Sequence, residues 1–482
     1  MQRNTAQRKQ KVSKRVNSST AIQQQLDLIQ NGTAPLEVVS ACRLNDGILT
    51  FTDEQKENYI QIARANKPDL NFFIPASGSG SRMFEFLYDF VQFPSPENHQ
   101  KASRFFSRLS ELALFRKLPL SIQDAYFQGT LSLDTLISFL LEDKGLNYGK
   151  TPKGLVPFHI HEPFVLNPFQ EHILQAAQLG MGACQFHFTI QQDFETAFQD
   201  SIQDLKALTA ANYSVSYSTQ DPATDAYVFK ADGTLLKSEQ GEPVRRPAGH
   251  GTLLQNLQAL NAAYILVKNI DNVQHFTQQE PSNLNWEFLV GLQIEIRTAL
   301  KAFIIADDFE GLCAWNQTHQ LWDPQLLQAC TNGQWKELLN RPLRVCGMVR
   351  NDGQPGGGPF FVKKNGIVSK QIIEKSQLMH LSNASQLFLQ STHFNPVLMV
   401  LSPCNLDGKP QDLANFKDPS TSFIVEKNHQ GEKVKFVEQP GLWNGSMAAW
   451  NTLFVEVPSQ IFSPVKTVLD LLENAHLANN PA

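Results

Sequence analysis

Asn71-Phe72-Phe73-Ile74-Pro75-Ala76-Ser77-Gly78-Ser79-Gly80-Ser81-Arg82-Met83 is the stretch on which the reading of this chain turns. Phe72-Phe73-Ile74 reads as a buried strand that gives way at once to small residues. Ser77, Gly78, Ser79, Gly80 and Ser81 can present successive backbone N–H groups without bulky side chains in the way, and Arg82 adds a fixed positive charge. A loop that wraps nucleotide phosphates needs both. The spacing excludes two commoner phosphate loops. No Gly-Lys-Ser/Thr follows, as a P-loop requires, and Met83 stands where a third dinucleotide-fingerprint glycine would be. A Gly/Ser-rich turn after a strand is also an ordinary connection, so the rest of the chain has to decide.

Its 482 residues amount to about three domains' worth of chain, or one large α/β domain with insertions. An apolar content of 42% with 10% aromatics supplies a sizeable core, while charged residues, at 18%, fall below the usual share of about 25%. A net charge of −5 argues against nucleic acid as a bulk electrostatic partner, but a phosphorylated small molecule needs only a few local cations. The six cysteines are scattered without a Cys-x-x-Cys pair, which reads as reduced thiols of a cytoplasmic protein. His159 and His161 suggest a metal pair on one strand face; lacking a third ligand nearby in sequence, they read as surface or core residues. Residues 1–20 hold six Lys/Arg and no acid, the composition of a disordered basic tail. No run approaches the ~20 apolar residues of a membrane span.

Residues 21–70 read as a helical segment stopped by Pro68, and Arg82 to Phe93 as a helix opening at the glycine loop. Residues 95–149 carry helical periodicity, as in Ser103–Arg116 and Leu133–Leu141, and read as an inserted helical subdomain. Strand-like runs recur at Gln185–Ile190, Tyr213–Ser218, Tyr264–Lys268, Arg344–Val349 and Pro396–Leu401. Helical patterns lie between them at Pro168–Leu179, Phe194–Leu208, Gly251–Leu260 and Asn285–Ile305. This alternation implies an α/β fold whose mostly parallel sheet is covered on both faces. Ligands of such sheets bind beyond the carboxyl ends of strands, where the glycine loop sits. A core over 71–400 and a C-terminal segment over 401–482 complete the expected organisation.

Four further segments suit a triphosphate. Lys150-Thr-Pro-Lys153-Gly154 places a cation in a turn that Pro152 and Gly154 fix. Arg245-Arg246-Pro-Ala-Gly249-His250-Gly251 precedes a helix, with two glycines that let the backbone approach a flat ring. Tyr264-Ile-Leu-Val-Lys268-Asn269-Ile270-Asp271-Asn272 is an apolar strand ending in a polar cluster, and a carboxylate there suits Mg²⁺. Phe462-Ser-Pro-Val-Lys466-Thr467 sets a lysine after Pro464 at the start of a helix. The first three also have a plain reading: a solvent-exposed lysine, a surface histidine, a strand-terminating turn.

In order along the chain, these residues resemble the motifs of the UDP-sugar pyrophosphorylases, the UDP-glucose and UDP-N-acetylhexosamine uridylyltransferases. Gly78-Ser-Gly-Ser-Arg-Met83 is similar to their Gly-x-Gly-Thr-Arg-Leu/Met loop, and Pro152-Lys153-Gly154 to their Pro-Lys-Gly turn. Pro247-Ala-Gly-His-Gly-Thr252, Lys268-Asn-Ile-Asp-Asn272 and Phe462-Ser-Pro-Val-Lys-Thr467 are similar to three later segments. The whole chain also resembles an uncharacterised bacterial family of similar length that keeps Pro-Ala-Ser-Gly, Pro-Lys-Gly-Leu, Gly-His-Gly, Asn-Ile-Asp-Asn and Pro-Gly-Leu-Trp-Asn-Gly. The resemblance implies a glycosyltransferase-A-like (Rossmann-like) nucleotidyltransferase core. It further implies attack of a sugar 1-phosphate on a nucleoside triphosphate, uridylyl transfer, and release of pyrophosphate. Loop 77–82 would cradle the triphosphate, with Arg82, Lys153 and Lys466 on phosphates. Gly249, His250 and Asn269 would meet the nucleotide, Asp271 would hold Mg²⁺, and Glu374 and Asn395 would meet the sugar.

Departures from the family pattern are specific. Sixty-nine residues, 84–152, separate the glycine loop from the lysine turn, the loop opens Pro-Ala-Ser-Gly, and Thr252 replaces an acid. Gly353-Gln-Pro-Gly-Gly-Gly-Pro359 reads as a second phosphate loop, a lid or a connector. Pro440-Gly-Leu-Trp-Asn-Gly-Ser446 reads as a turn without assigned chemistry. The expected activity is a nucleotidyltransferase; the alternatives are a non-catalytic nucleotide or sugar-phosphate binder on the same fold, or an unrelated α/β scaffold.

Overall fold

Phe72, Phe73 and Ile74 are buried on an interior strand of a large sheet in the computed structural model, which describes residues 19–478 except 34–35, 94, 331–332, 354–355, 380 and 430. In chain order its main strands are β1 (Arg43–Leu44), β2 (Gly47–Leu49), β3 (Leu70–Pro75), β4 (Cys184–Thr189) and β5 (Ser214–Ser218). They continue as β6 (Ile265–Val267), β7 (Leu343–Arg350), β8 (Met399–Ser402) and β9 (Asn451–Glu456). The spatial order is β1-β2-β9-β7-β8-β6-β3-β4-β5. Neighbours pair in parallel except at β8, which runs antiparallel to both β6 and β7. Eight strands therefore share one direction, and their carboxyl ends lie along one edge.

Alternation along the strands feeds two cores. Phe72, Ile74, Val345 and Leu453 face one side, with Trp286 and Leu289 of the helix Glu280–Ala306. Phe73, Ile265, Val267, Cys346 and Phe454 face the other. Strands buried on both faces read as continuous apolar runs, which is why these were visible in the sequence. From β3 the chain moves outward to β4 and β5, then returns to β6 on the opposite side of β3. The crevice between the carboxyl ends of β3 and β6 is thus a switch point, the position where such sheets accept ligands.

Several expectations are corrected. The basic tail lies mostly outside the described residues, and positions 19–20 already open a helix over 19–31. The segment 21–70 is not uniformly helical: Glu37–Ala41, β1 and β2 intervene before the helix Asp53–Asn66. Their partners are remote, since Glu37–Ala41 pairs with Gly358–Lys364 and β2 with β9, so local periodicity carried no sign of them. Within 103–116 the helix Pro96–Ser107 breaks into short 3₁₀ turns at Leu109–Glu111 and Ala113–Lys117. The insertion 95–149 does not fold out by itself. Phe105, Leu112 and Leu140 share a cluster with Phe84 beside the glycine loop and with Val465 and Leu469 near the C-terminus. Gly358–Lys364 and Ile367–Ile373 form a hairpin, whose first strand begins within the Gly353–Pro359 stretch that the sequence reads as a phosphate loop, a lid or a connector. Among the described residues no helix is long and apolar enough to cross a membrane.

Candidate active site

The polar cluster at the end of β6 is pinned from beneath. His172, on the buried helix Pro168–Ala177, has its Nε2 3.1 Å from the Ile270 carbonyl oxygen. Asp271 follows, 7% exposed, and its Oδ2 accepts from Lys153 Nζ at 3.1 Å and from Lys466 Nζ at 3.0 Å. Lys153 Nζ also donates to the Val465 carbonyl at 2.9 Å. Burial pushes the Asp271 pKa up, but the two ammonium groups outweigh it and hold the carboxylate below its usual range. For Lys153 burial prevails and lowers the pKa, with Asp271 opposing.

Lys466 arrives on a backbone ladder. Val465 N–H donates to the Asp271 carbonyl at 2.9 Å, Ser463 N–H donates to Asn272 Oδ1 at 3.0 Å, and Asn272 bridges Pro464. Asp470 Oδ2 accepts from the backbone N–H of Lys466 and Thr467, each at 2.7 Å, and so fixes where the lysine leaves the chain. The helix expected there is a 3₁₀ turn, Val468–Leu472.

The glycine loop lies against the lysine turn. Lys153 N–H donates to the Gly78 carbonyl at 3.0 Å and Gly80 N–H to the Thr151 carbonyl at 2.9 Å, with a bridge between Ser79 and Pro152. A Cβ on Gly80 would fall 2.9 Å from the Thr151 oxygen, so this approach needs glycine. Gln191, at the end of β4, holds the start of the loop by donating to the Ser77 carbonyl. Gly78, Ser79 and Arg82 are exposed, Ser77 and Ser81 partly buried. Among the described residues Arg82 makes no ion pair and no side-chain hydrogen bond. Asn269 is partly buried between β6 and Asp271, its carbonyl accepting from Asn272 N–H at 3.1 Å.

His250 is occupied within the protein. Its ring stacks on Trp443 at 4.2 Å and its Nδ1 accepts from Leu442 N–H at 3.0 Å. Burial depresses its pKa to about 4, so the ring is neutral with its proton on Nε2. The Pro440–Ser446 turn, without assigned chemistry in the sequence, is therefore the lock on His250. Gly249 precedes it at φ 75°.

Farther along the same edge Glu374 and Asn395 meet around one glycine. Asn395 N–H donates to the Gly357 carbonyl at 2.8 Å, and a Cβ on Gly357 would fall 3.1 Å from Glu374 Oε1. Asn444 Nδ2 reaches Glu374 Oε1 at 3.3 Å. Two buried amide atoms here, Asn395 Nδ2 and Asn444 Oδ1, have no hydrogen-bond partner. Burial raises the Glu374 pKa, with Asn444 opposing. Val397, two residues beyond Asn395, sits at φ 59°, a strained value for a β-branched residue, and its N–H donates to Asn395 Oδ1 at 3.0 Å. Phe394 packs on Phe462 at 5.1 Å, linking this cluster to the segment that carries Lys466. From β3 across β6 and β8 to β7 the edge spans roughly 14 Å at the usual strand spacing, a length for one extended ligand.

Sequence reasoning brought Lys153, Asp271 and Lys466 to one point and missed Gln191, His172 and Asp470, which hold backbone or carboxylate partners through contacts that spacing does not signal. Trp443 and Asn444 lie in the Pro440–Ser446 turn, which the sequence marks without assigning it a role.

A family model described as a domain of unknown function (DUF4301) matches residues 5–477. A search of curated proteins gave no match. Among solved structures the chain is similar to the uridine diphosphate N-acetylglucosamine pyrophosphorylase of Trypanosoma brucei in complex with inhibitor. That match has a TM-score of 0.48 and 13% identity, covering 94% of this chain and 74% of that one. It is also similar to a mutant UDP-glucose pyrophosphorylase of Leishmania major, with a TM-score of 0.43 and 12% identity over 93% of this chain and 73% of that one.

Proposed function

The chain belongs to the DUF4301 family, and from the cluster just described we propose that it is a nucleotidyltransferase. It moves a nucleotidyl group, uridylyl by resemblance of its motifs, from a nucleoside triphosphate to a sugar 1-phosphate and releases pyrophosphate. The observation that carries this reading is the convergence of Lys153 and Lys466 on the buried Asp271, beside a glycine loop hydrogen-bonded to the same lysine turn. The sugar-phosphate oxygen attacks the α-phosphorus, the bond to the β-phosphate oxygen breaks, and the charge passes to pyrophosphate. Such in-line chemistry needs positioning and charge neutralisation rather than a covalent nucleophile.

The two ammonium groups now spent on Asp271 turn to phosphate oxygens, and the exposed Arg82 and the amides of Ser77–Ser81 take the remainder. A lone buried carboxylate suits Mg²⁺, which takes one or two carboxylates and fills its sphere with waters and phosphate oxygens. When bound, that ion offsets phosphate charge. Gly249 and Asn269 offer backbone to the base, while the His250 ring stiffens that wall. The unpartnered amide atoms of Asn395 and Asn444, with Glu374 between them, suit a polyol that both gives and accepts hydrogen bonds. A glycosyltransferase-A-like core agrees with this division of the sheet edge, and six free thiols agree with the cytoplasm.

The test incubates the protein with Mg²⁺, each of the four triphosphates and a panel of sugar 1-phosphates, and measures pyrophosphate. Turnover lost in Lys153→Ala is expected. Tight nucleotide binding with no release under any pairing would replace the enzyme by a binding protein.

A further inference from the structure

On the far side of the helix that steadies Asp271, the chain gathers a second set of ionisable groups. His159 and His161 alternate along the strand His159–His161, which pairs antiparallel with Phe164–Leu166, so both rings leave on one face. The chain then enters the helix Pro168–Ala177, whose capping box at Asn167 and Gln170 sets its direction and turns Glu171 of the first turn back toward the rings. His159 Nδ1 lies 2.7 Å and His161 Nε2 2.5 Å from the same oxygen, Glu171 Oε1. All three ligand atoms lie within 4.8 Å of one another, the one such group of three His, Cys, Asp or Glu side chains among the described residues.

We propose that His159, His161 and Glu171 form a metal site, separate from the nucleotidyl groove, that takes Zn²⁺ or a similar borderline divalent ion. The geometry favours this over a plain polar cluster. His159 faces a partner at both nitrogens: Glu171 at Nδ1, and His476 Nδ1 at Nε2, 3.0 Å away. Both imidazoles converge on one carboxylate oxygen, and the His159 and Glu171 side chains are wholly buried. A cation seated among the three ligand atoms would engage all of them from one point.

The surroundings match those of metal-bound histidine and carboxylate, whose remaining polar atoms are held by outer partners. His476 Nδ1 lies 3.0 Å from His159 Nε2, Gln279 Nε2 donates to Glu171 Oε2 at 3.3 Å, and His161 stacks on His275 at 4.4 Å and 9°. Two imidazoles and one carboxylate are a donor set suited to Zn²⁺ and poorly suited to Mg²⁺, and with three protein ligands a fourth position stays open. Donors around tetrahedral Zn²⁺ stand roughly 3.3 Å apart, so each ring must retreat somewhat from Oε1. The His161 side chain, 19% exposed on its short hairpin, has room to do so and marks the entry.

The ion would brace the Lys466 arm. His476 and Ala475 lie just beyond it, the Ala475 carbonyl accepting from His275 N–H at 2.8 Å.

The full-length protein, stripped with chelator and dialysed, is titrated with ZnCl₂ alone by calorimetry, with thermal melting in parallel. One equivalent is expected to bind and raise the melting midpoint, and excess Mg²⁺ should not displace it. His161→Ala, a partly exposed position chosen to preserve the fold, should lose more than about a hundredfold in affinity, with Glu171→Gln as the second variant. His476→Gln should lose about 10–100-fold, as outer partners do, and Asp271→Asn should bind Zn²⁺ as the wild type does. No binding by the wild type, undiminished binding by folded His161→Ala, or loss in Asp271→Asn would each overturn the site.

Discussion

Replacing Asp271 with alanine should cost stability out of proportion to any other change in the groove. Lys153 Nζ lies 3.1 Å from Asp271 Oδ2, with the two side chains 12% and 11% exposed. Unit charges at that distance attract by about 5 kcal/mol at an effective dielectric of about 20, and part of this offsets the desolvation of both groups. Lys466 touches the same oxygen at 3.0 Å but is 51% exposed, so water screens it to under about 1 kcal/mol. Without the carboxylate, the Lys153 ammonium keeps only the Val465 carbonyl and its burial. Stranding a buried charge costs about 3–5 kcal/mol; with water reaching this one from the groove, Asp271→Ala should lose about 3 kcal/mol. Lys466→Ala should lose under about 1 kcal/mol. The double variant Lys153→Ala/Asp271→Ala should be more stable than the sum of its single losses by about 2 kcal/mol. Urea unfolding followed by tryptophan fluorescence reads these differences as midpoint shifts at constant slope. A neutral Asp271→Ala, or strict additivity in the double variant, would refute the buried-pair account.

Three further outcomes follow from distances already given. Gly80→Ala drives a Cβ to 2.9 Å from the Thr151 carbonyl and should part the glycine loop from the lysine turn, lowering kcat/KM for the triphosphate at least about tenfold; unchanged kinetics would remove the loop from the site. Gly357→Ala places a Cβ 2.8 Å from Ile372 Cγ2 and 3.1 Å from Glu374 Oε1, so KM for the sugar 1-phosphate should rise about tenfold, or ~1.4 kcal/mol, with KM for the triphosphate steady. The opposite pattern would dissociate Glu374 from the acceptor. His250, held to about 4 by burial against 6.5 for the free ring, resists protonation in the fold. The unfolded chain takes up that proton first, so the contribution is whole above about pH 6.5 and drains away toward pH 4, costing about 2 kcal/mol at pH 5. His250→Gln should flatten the change in urea midpoint between pH 7 and pH 5, and equal slopes in both proteins would contradict the assignment.

What the sequence disclosed depended on whether a residue's partner lay nearby or was implied by pattern. Phe72–Ile74, Ile265–Val267 and Val345–Val349 are apolar runs because both faces of their strands are buried, and burial is written in composition. The reversed direction of β8 is not, since an antiparallel strand in a covered sheet has the same apolar character as its neighbours. Lys153, Asp271 and Lys466 were legible through motif order. Arg82 was legible by the same route, yet its side chain stands exposed and makes no ion pair among the described residues. Trp443 escaped because its significance is a stacking contact with a histidine far back in the chain. His159 and His161 stand out in the sequence as a candidate metal pair but show no third ligand beside them. That ligand, Glu171, lies one strand and one helix entry later, and only the hairpin followed by a helical turn folds it back.

The arm bearing Lys466 has a consequence for biosynthesis. Ribosomes deliver the amino end first, so the glycine loop, Lys153 and Asp271 emerge long before the strand-like rung at Ser463–Val465 that seats the second cation. On the proposed reading, a nascent polypeptide would possess most of the nucleotide cradle while lacking one of the two lysines assigned to the phosphates. The complete grip would form only once the segment 463–470 has docked on Asp271 and Asn272.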